Sequence, residues 1–150
     1  MLRNVFFFAI ICAFALVLPA SAGWETQTVG ASGYDLVAYQ TENKAVRGDT
    51  SFMSYVNDTV YLFTNKENKA AFDKEPTRYL PAYGGYCAFG MSNGYKVPVD
   101  PEAFTVVDNK LYLNFNKQVR DMWSKDIPGR ISKADENWSK IMNDQPVAPQ

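Results

Sequence analysis

The 150 residues of this chain are enough for one domain of ordinary size. Its 15 basic and 16 acidic residues give a formal net charge of −1, and its pI of about 5.4 argues against a nucleic-acid-binding surface. Histidine is absent from the sequence, which removes the commonest general base and the commonest metal ligand.

The first 22 residues have the pattern of a secretory signal peptide. Arg3 precedes an uncharged apolar run over Val5–Leu18, and Ala20-Ser21-Ala22 fits the small-residue rule for a cleavage site. The run of about 14 residues is shorter than the roughly 20 that a transmembrane helix needs. We therefore expect a periplasmic or secreted protein, without a stable membrane span, that loses Cys12 with the signal and keeps Cys87 as its one cysteine.

The first half of the remaining chain is predicted to form a strand, a hairpin and a helix. Leu36–Tyr39 is a short apolar run and is assigned to a strand. Over Phe52–Phe63, β-branched and aromatic residues flank Asn57-Asp58, a pair that tolerates the left-handed conformations of a hairpin turn. Thr64-x-x-Glu67 is a capping box, which predicts a helix over about residues 65–75.

The second half is predicted to form one hairpin and two helices. Val97–Pro101 is too rich in proline for a central strand. Thr105–Phe115 alternates as a hairpin does, and helices are expected at about residues 117–125 and 128–142. The predicted fold class is α+β, a small single domain with an antiparallel sheet from two β-hairpins and about three packing helices. The chain divides into a signal peptide at 1–22, a lead-in at 23–32, the domain at 33–142 and a flexible tail at 143–150.

A shift of 51 residues lays the first predicted hairpin and helix on the second. Tyr61-Leu62 then aligns with Tyr112-Leu113, and Asn65-Lys66 aligns with Asn116-Lys117. A ββα unit used twice would explain this alignment, but unrelated hairpin turns and helix caps also reuse the same residue types. In a duplicated domain the segment between the two units would be a seam, which is a common place for a binding site.

The stretch from residue 83 to residue 91 combines aromatic residues, glycines and Cys87. The Gly84-Gly85 pair permits a close backbone approach or a positive φ, and the flanking aromatic residues favour a tight corner over a flexible linker. This corner would direct backbone N–H groups at the sulfur and lower its pKa. The residues assigned to a candidate ligand pocket are Tyr83, Gly84, Gly85, Tyr86 and Phe89.

Several motifs, in this order and spacing, closely resemble the YHS-domain family. They are Tyr34–Tyr39, Phe72 with Pro76-x-x-Tyr79, Tyr83–Gly90, Asp100–Phe104, Leu111–Asn114 and Asp126–Gly129. The resemblance covers about residues 33–140 and is to the exported, stand-alone branch. Some members of that branch carry selenocysteine at the position of Cys87, which implies a chemically used sulfur here. In related domains attached to copper-transporting ATPases, cysteines are suspected metal ligands, but this chain lacks their second cysteine and histidine.

Cys87 has two functional interpretations and one structural interpretation. As a redox thiol it would form a sulfenic acid or a mixed disulfide with an external thiol partner, because the mature chain holds no resolving cysteine. As a soft-metal ligand it would bind Cu(I) together with the Met91 thioether, whereas structural zinc needs about four ligands and is excluded. The alternative is an inert buried cysteine, in a protein-interaction or structural module or beside a small-ligand pocket. No Cys–His pair or nucleotide motif is present, so a module without enzymatic activity is favoured over an enzyme.

Overall fold

A computed structural model describes residues 28–146 of the chain. The predicted signal peptide, the first half of the lead-in and the last four residues of the predicted tail lie outside this range. Within it the chain has the predicted α+β fold, with two β-hairpins and helices packed around them. None of the helices in this part of the chain is long and apolar enough to cross a bilayer.

The elements are named in chain order. The strands are β1 (Thr28–Val29), β2 (Asp49–Val56), β3 (Thr59–Phe63), β4 (Asp100–Val107) and β5 (Lys110–Asn114). The helices are α1 (Leu36–Thr41), α2 (Lys66–Lys74), α3 (Pro76–Tyr79), α4 (Ala88–Ser92), α5 (Lys117–Trp123) and α6 (Ile127–Ile141). Short 3-10 turns lie at Gly30–Gly33, Ala82–Gly85 and Ser124–Asp126.

The two hairpins belong to separate sheets. Antiparallel β2 and β3 form the first, and β1 extends it by pairing in parallel with β3. Antiparallel β4 and β5 form the second. Both hairpins turn through two residues with positive φ, Asn57 and Asp58 in the first and Asp108 and Asn109 in the second. Asparagine and aspartate tolerate this conformation better than other non-glycine residues, so the predicted turns are confirmed.

The structure shows the internal repeat that the alignment suggested. The second hairpin and helix α5 begin 51 residues after the first hairpin and α2. Their N-caps also correspond: the Asn65 side chain accepts the Asn68 N–H at 2.7 Å, and the Asn116 side chain accepts the Val119 N–H at 2.8 Å. We refer to residues 30–74 as the first repeat and to residues 82–123 as the second repeat.

The repeat extends further upstream than the sequence alignment indicated. A left-handed 3-10 turn precedes a short helix in each repeat, and here the offset is 52 residues, from Gly30 to Ala82 and from α1 to α4. One residue is therefore lost between the helix and the hairpin of the second repeat. Because of this change in offset, Asp35 before α1 is equivalent to Cys87 before α4.

The predicted strand at Leu36–Tyr39 is wrong, because these residues form the first part of α1. The Asp35 side chain caps this helix by accepting the N–H groups of Val37 and Ala38 at 2.8 and 3.1 Å. All four residues from Leu36 to Tyr39 are buried. A short run that is buried on every side has no polar face, so its periodicity does not distinguish a strand from a helix.

Two predicted boundaries also change. Asn65 caps α2 in place of the predicted Thr64, because the amide and hydroxyl of Thr64 donate to Asp35 instead. Strand β4 begins at Asp100 and includes Pro101, although this segment was excluded from a central strand. The second sheet has two strands, so Pro101 lies on an edge, where the missing N–H is tolerated.

Two hydrophobic clusters form the core, one largely from each repeat. Phe72 of α2 and Trp123 of α5 occupy equivalent positions and are both fully buried. The first cluster contains Leu36, Val37, Tyr39, Phe63, Phe72, Tyr79, Leu111 and Leu113. The second contains Ala82, Tyr83, Ala88, Met91, Tyr112, Trp123 and Ala134. Leu111 and Leu113 of β5 belong to the first cluster, so the two repeats share part of their packing.

Lys96 fastens the end of α6 to the segment after α4. Its side chain is only 5% exposed, and its Nζ donates to the carbonyl oxygens of Met142 and Asp144 at 2.6 and 2.8 Å. The same Nζ lies 5.1 Å from the Tyr86 ring centroid and 5.4 Å from the Trp138 ring centroid. The ammonium group therefore stands in a cage of two carbonyls and two aromatic faces.

Replacing Lys96 by methionine should lower the free energy of unfolding by about 2 kcal/mol, because two charge-assisted hydrogen bonds are lost while the apolar stem is kept. Urea denaturation would measure this loss. Lys66→Met is the control, since Lys66 is exposed on α2. Equal losses in the two variants would contradict a capping role for Lys96.

Candidate thiol site

Cys87 precedes helix α4 and is only 1% exposed. Its Sγ accepts the Gly90 N–H at 3.4 Å, which is the hydrogen bond of an N-cap. The N–H groups of Phe115 and Phe89 also lower the pKa of the thiol, but the Phe89 N–H makes its hydrogen bond to Asn114 Oδ1 at 3.2 Å. Cysteine is not among the residues favoured at this position, where serine, threonine, aspartate and asparagine are preferred.

Burial raises the pKa of the Cys87 thiol, and the N–H groups of Gly90, Phe115 and Phe89 offset part of this effect. The neutral thiol is therefore the dominant form at neutral pH. The prediction that Gly84 and Gly85 lower this pKa is wrong. The N–H donors come from α4 and from the residue after β5, and their effect is smaller than that of desolvation.

A fully buried amide, that of Asn114 at the end of β5, lies beside the sulfur. Its Oδ1 accepts the Phe89 N–H at 3.2 Å and lies 3.7 Å from the Cys87 thiol, which donates to it. Its Nδ2 has no acceptor among residues 28–146. A buried donor without an acceptor costs about 1–3 kcal/mol, so its presence beside a thiol requires an explanation.

A pocket of about 280 Å³ lies beside Cys87. Its lining consists of Cys87, Phe89, Gly90, Tyr95, Val97, Phe115 and Val119. Tyr95 and Phe115 are each exposed to solvent over about two fifths of their surface, at 41% and 42%. Since a water molecule occupies about 30 Å³, the pocket has room for a small reagent beside Cys87, whose low exposure keeps bulky reagents away.

The equivalent position in the first repeat is closed by hydrogen bonds. Asp35 is fully buried, and its Oδ1 accepts the N–H groups of Val37 and Ala38. Its Oδ2 accepts the Thr64 N–H and the Thr64 hydroxyl, both at 2.8 Å, and the Asn68 side-chain amide at 2.7 Å. Five donors thus satisfy one buried carboxylate, and this part of the fold forms without a sulfur atom at that position.

The two repeats share their backbone donors at this position and differ in their side-chain donors. The backbone donors of Val37, Ala38 and Thr64 correspond in position to those of Phe89, Gly90 and Phe115. The polar side chains of Thr64 and Asn68 are replaced by those of Phe115 and Val119, both of which line the pocket. The second repeat therefore has an open apolar pocket where the first has a closed polar network.

The other predicted pocket residues do not lie together. Gly84, Gly85 and Tyr86 line a larger pocket of about 580 Å³, which also includes the left-handed turn of the first repeat and so lies at the seam. Phe89 lines the Cys87 pocket. Tyr83 is buried in the second core cluster, and its hydroxyl donates to Asp135 at 2.9 Å.

The proposed second copper ligand, Met91, is fully buried in the second core cluster. Among residues 28–146, no three or more side chains of His, Cys, Asp or Glu are grouped as a metal site. The Cys87–Met91 pair remains a prediction. Copper binding at Cys87 would require a second ligand, either a thioether of this chain or a group from outside the chain.

Sequence reasoning missed Asn114 and the apolar pocket wall, because these residues are far from Cys87 in the sequence. It also missed Asp35 as the counterpart of Cys87. A signal for that equivalence is present in the sequence, where Gly33-Tyr34-Asp35 matches Gly85-Tyr86-Cys87 at an offset of 52 residues. An alignment with a fixed offset of 51 residues places these two triplets one position out of register, so it does not show their match.

Comparisons with protein-family models, with curated proteins and with solved structures found no match to this chain. The family resemblance described above therefore remains a prediction from the motifs. The residues around Cys87 and their geometry are the basis for a functional assignment.

Proposed function

We propose that this chain is an exported YHS-type module in which Cys87 is a redox-active or soft-metal-binding thiol. One observation carries the proposal: the second repeat keeps the backbone N–H groups of the first but has a pocket lined by Cys87 where the first has a closed polar network. Aspartate occupies this position in the first repeat, where it caps α1 with two hydrogen bonds and accepts three more from Thr64 and Asn68, so the fold does not require cysteine there. A weak cap beside a cavity favours a chemical role for the sulfur over a packing role.

Redox chemistry agrees better with the surroundings of Cys87 than copper binding does. Cys87 lines an apolar pocket of about 280 Å³, and Met91 belongs to the core. A small oxidant would convert the thiol to a sulfenic acid, and an external thiol would then reduce it or form a mixed disulfide with it. Cu(I) binding would require deprotonation of the thiol and at least one additional soft ligand.

The test is alkylation of the folded protein with reagents of two sizes. Iodoacetamide at pH 8.5 should modify Cys87 in the native protein, because the pocket is large enough for it. A maleimide carrying a 5 kDa polymer should modify Cys87 only in urea. Peptide mass mapping assigns the label to Cys87 rather than Cys12, and Cys87→Ser is the matched control.

The competing functions give different results in the same experiment. Protection of Cys87 from iodoacetamide by Cu(I) would select metal binding over redox chemistry. Absence of labelling by either reagent before denaturation would overturn the proposal. Cys87 would then be an inert buried residue, and the protein-interaction module or small-ligand binding at the seam pocket would become the better explanation.

A further inference from the structure

Three backbone N–H groups near Cys87 are the equivalents of those that bind the Asp35 carboxylate in the first repeat. We call these groups, from Phe89, Gly90 and Phe115, the N–H cradle: Gly90 N–H donates to Sγ at 3.4 Å, and Phe89 N–H donates to the neighbouring Asn114 Oδ1 at 3.2 Å. Their counterparts in the first repeat all donate to the Asp35 carboxylate. A neutral thiol is a weak acceptor and uses this set poorly, as the 3.4 Å contact from Gly90 N–H to Sγ indicates.

We propose that hydroperoxides oxidise Cys87 to its sulfinate, and that the N–H cradle holds this sulfinate as the equivalent groups hold the Asp35 carboxylate. The proposal presupposes the thiol function stated above and specifies its product. A cysteine sulfinate has the same arrangement of heavy atoms as aspartate: one methylene carbon, one central atom and two oxygens that share a negative charge. The chain therefore contains, at Asp35, an example of an anion of this shape in this backbone setting.

The Asn114 amide is a second, independent observation in favour of an oxygen-bearing ligand at the sulfur. Its Nδ2 is buried and has no acceptor among the described residues, while its Oδ1 is 3.7 Å from Sγ. An oxygen added to the sulfur would give this donor an acceptor. The adjacent pocket of about 280 Å³ has room for both the peroxide and the added oxygens.

The oxidation takes place in two balanced steps. The sulfur attacks one oxygen of a first hydrogen peroxide, an S–O bond forms, the O–O bond breaks, and the departing hydroxide takes the thiol proton and leaves as water. The resulting sulfenic acid attacks a second peroxide in the same way and forms the sulfinic acid and a second water, and the sulfinic acid loses its proton to solvent. Each step removes two electrons from the sulfur and reduces one peroxide.

The test treats the full-length protein with excess hydrogen peroxide and follows the peptide Tyr79–Lys96 by mass spectrometry. Fragment ions must separate Cys87 from Met91, whose thioether also takes up oxygen. We expect Cys87 to accumulate with two added oxygens and to resist a third, because the cradle and Asn114 have donors for a carboxylate-like group. Asn114→Leu should lower the yield of this product at equal loss of thiol.

A stability measurement tests the cradle without oxidation. Cys87→Asp places a carboxylate beside the N–H cradle, and Cys87→Asn is its neutral control of the same size. We expect the Tm of Cys87→Asp at pH 7 to be higher than that of Cys87→Asn by about 5 °C, because the amide NH₂ of asparagine would face the N–H donors.

Two results would overturn the inference. If Cys87 reacts with peroxide but stops at one oxygen or proceeds to three, and Cys87→Asp is no more stable than Cys87→Asn, the sulfinate proposal fails while the thiol function stands. If the folded protein resists both peroxide and iodoacetamide, the proposed function fails as well.

Discussion

Replacing Asp35 by alanine should lower the free energy of unfolding by about 3–5 kcal/mol, whereas Cys87→Ala should lower it by about 1 kcal/mol. The two residues occupy the same position in the two repeats. Loss of the Asp35 carboxylate leaves five donors from Val37, Ala38, Thr64 and Asn68 without their acceptor in a buried site. Loss of the Cys87 sulfur enlarges an existing pocket and leaves the Gly90 N–H without its weak acceptor.

Urea denaturation of the two alanine variants would measure this difference directly. Asp35→Asn serves as the control, because it keeps one acceptor oxygen and should give an intermediate loss. If Cys87→Ala lowers the free energy of unfolding as much as Asp35→Ala does, the view that Asp35 is structural and Cys87 is chemical would be contradicted. It would identify the sulfur as part of the core and weaken the proposed thiol function.

The contrast between Asp35 and Cys87 suggests how a duplicated unit acquires a site. The first repeat shows what the fold needs at this position, namely an acceptor for three backbone N–H groups. The second repeat keeps those groups, replaces the acceptor by sulfur, and substitutes apolar side chains for the polar ones that closed the cavity. The buried Asn114 accepts the Phe89 N–H through its Oδ1, while its Nδ2 has no acceptor among residues 28–146.

The sequence was sufficient to predict the parts of the fold that depend on local chemistry. The Asn-Asp and Asp-Asn turns, both hairpins and the helices after them follow from residue types within a few positions of each other. Helix α1 was missed because its start depends on one capping aspartate and its apolar run is buried on all sides. The left-handed turn at Ala31 and Ser32 was missed because neither residue type favours it.

The candidate site was predictable only in part. Cys87 stands out in the sequence as the one cysteine of the predicted mature domain. Its pocket wall includes Phe115 and Val119, which the second hairpin and α5 bring to it, and Val97 from the segment between α4 and β4. Its elevated pKa results from burial, which composition does not report. Gly84 and Gly85 have the positive φ that was predicted, but they line the seam pocket and not the Cys87 pocket.

The rate at which iodoacetamide alkylates Cys87 should rise about tenfold per pH unit between pH 6 and 8.5, without levelling off below about pH 9. The thiolate is the nucleophile, and burial raises the pKa of the folded thiol, so the reactive fraction is small and keeps growing throughout this range. The pocket lining contains no Asp, Glu, Lys or Arg, so no charged side chain of the lining changes this slope.

The control is the same protein in urea, where the alkylation rate should level off near the ordinary pKa of a cysteine thiol, about 8.5. The same shift predicts a change in stability. The folded thiol holds its proton more tightly than the unfolded one. Its contribution to the free energy of unfolding is therefore complete below the pKa of the unfolded state and is lost as the pH rises toward the pKa of the folded state. The stability difference between the wild type and Cys87→Ser should therefore shrink above about pH 8.5. An alkylation rate that levels off below pH 8 would show that the N–H cradle outweighs burial, and Cys87 would be a thiolate at neutral pH.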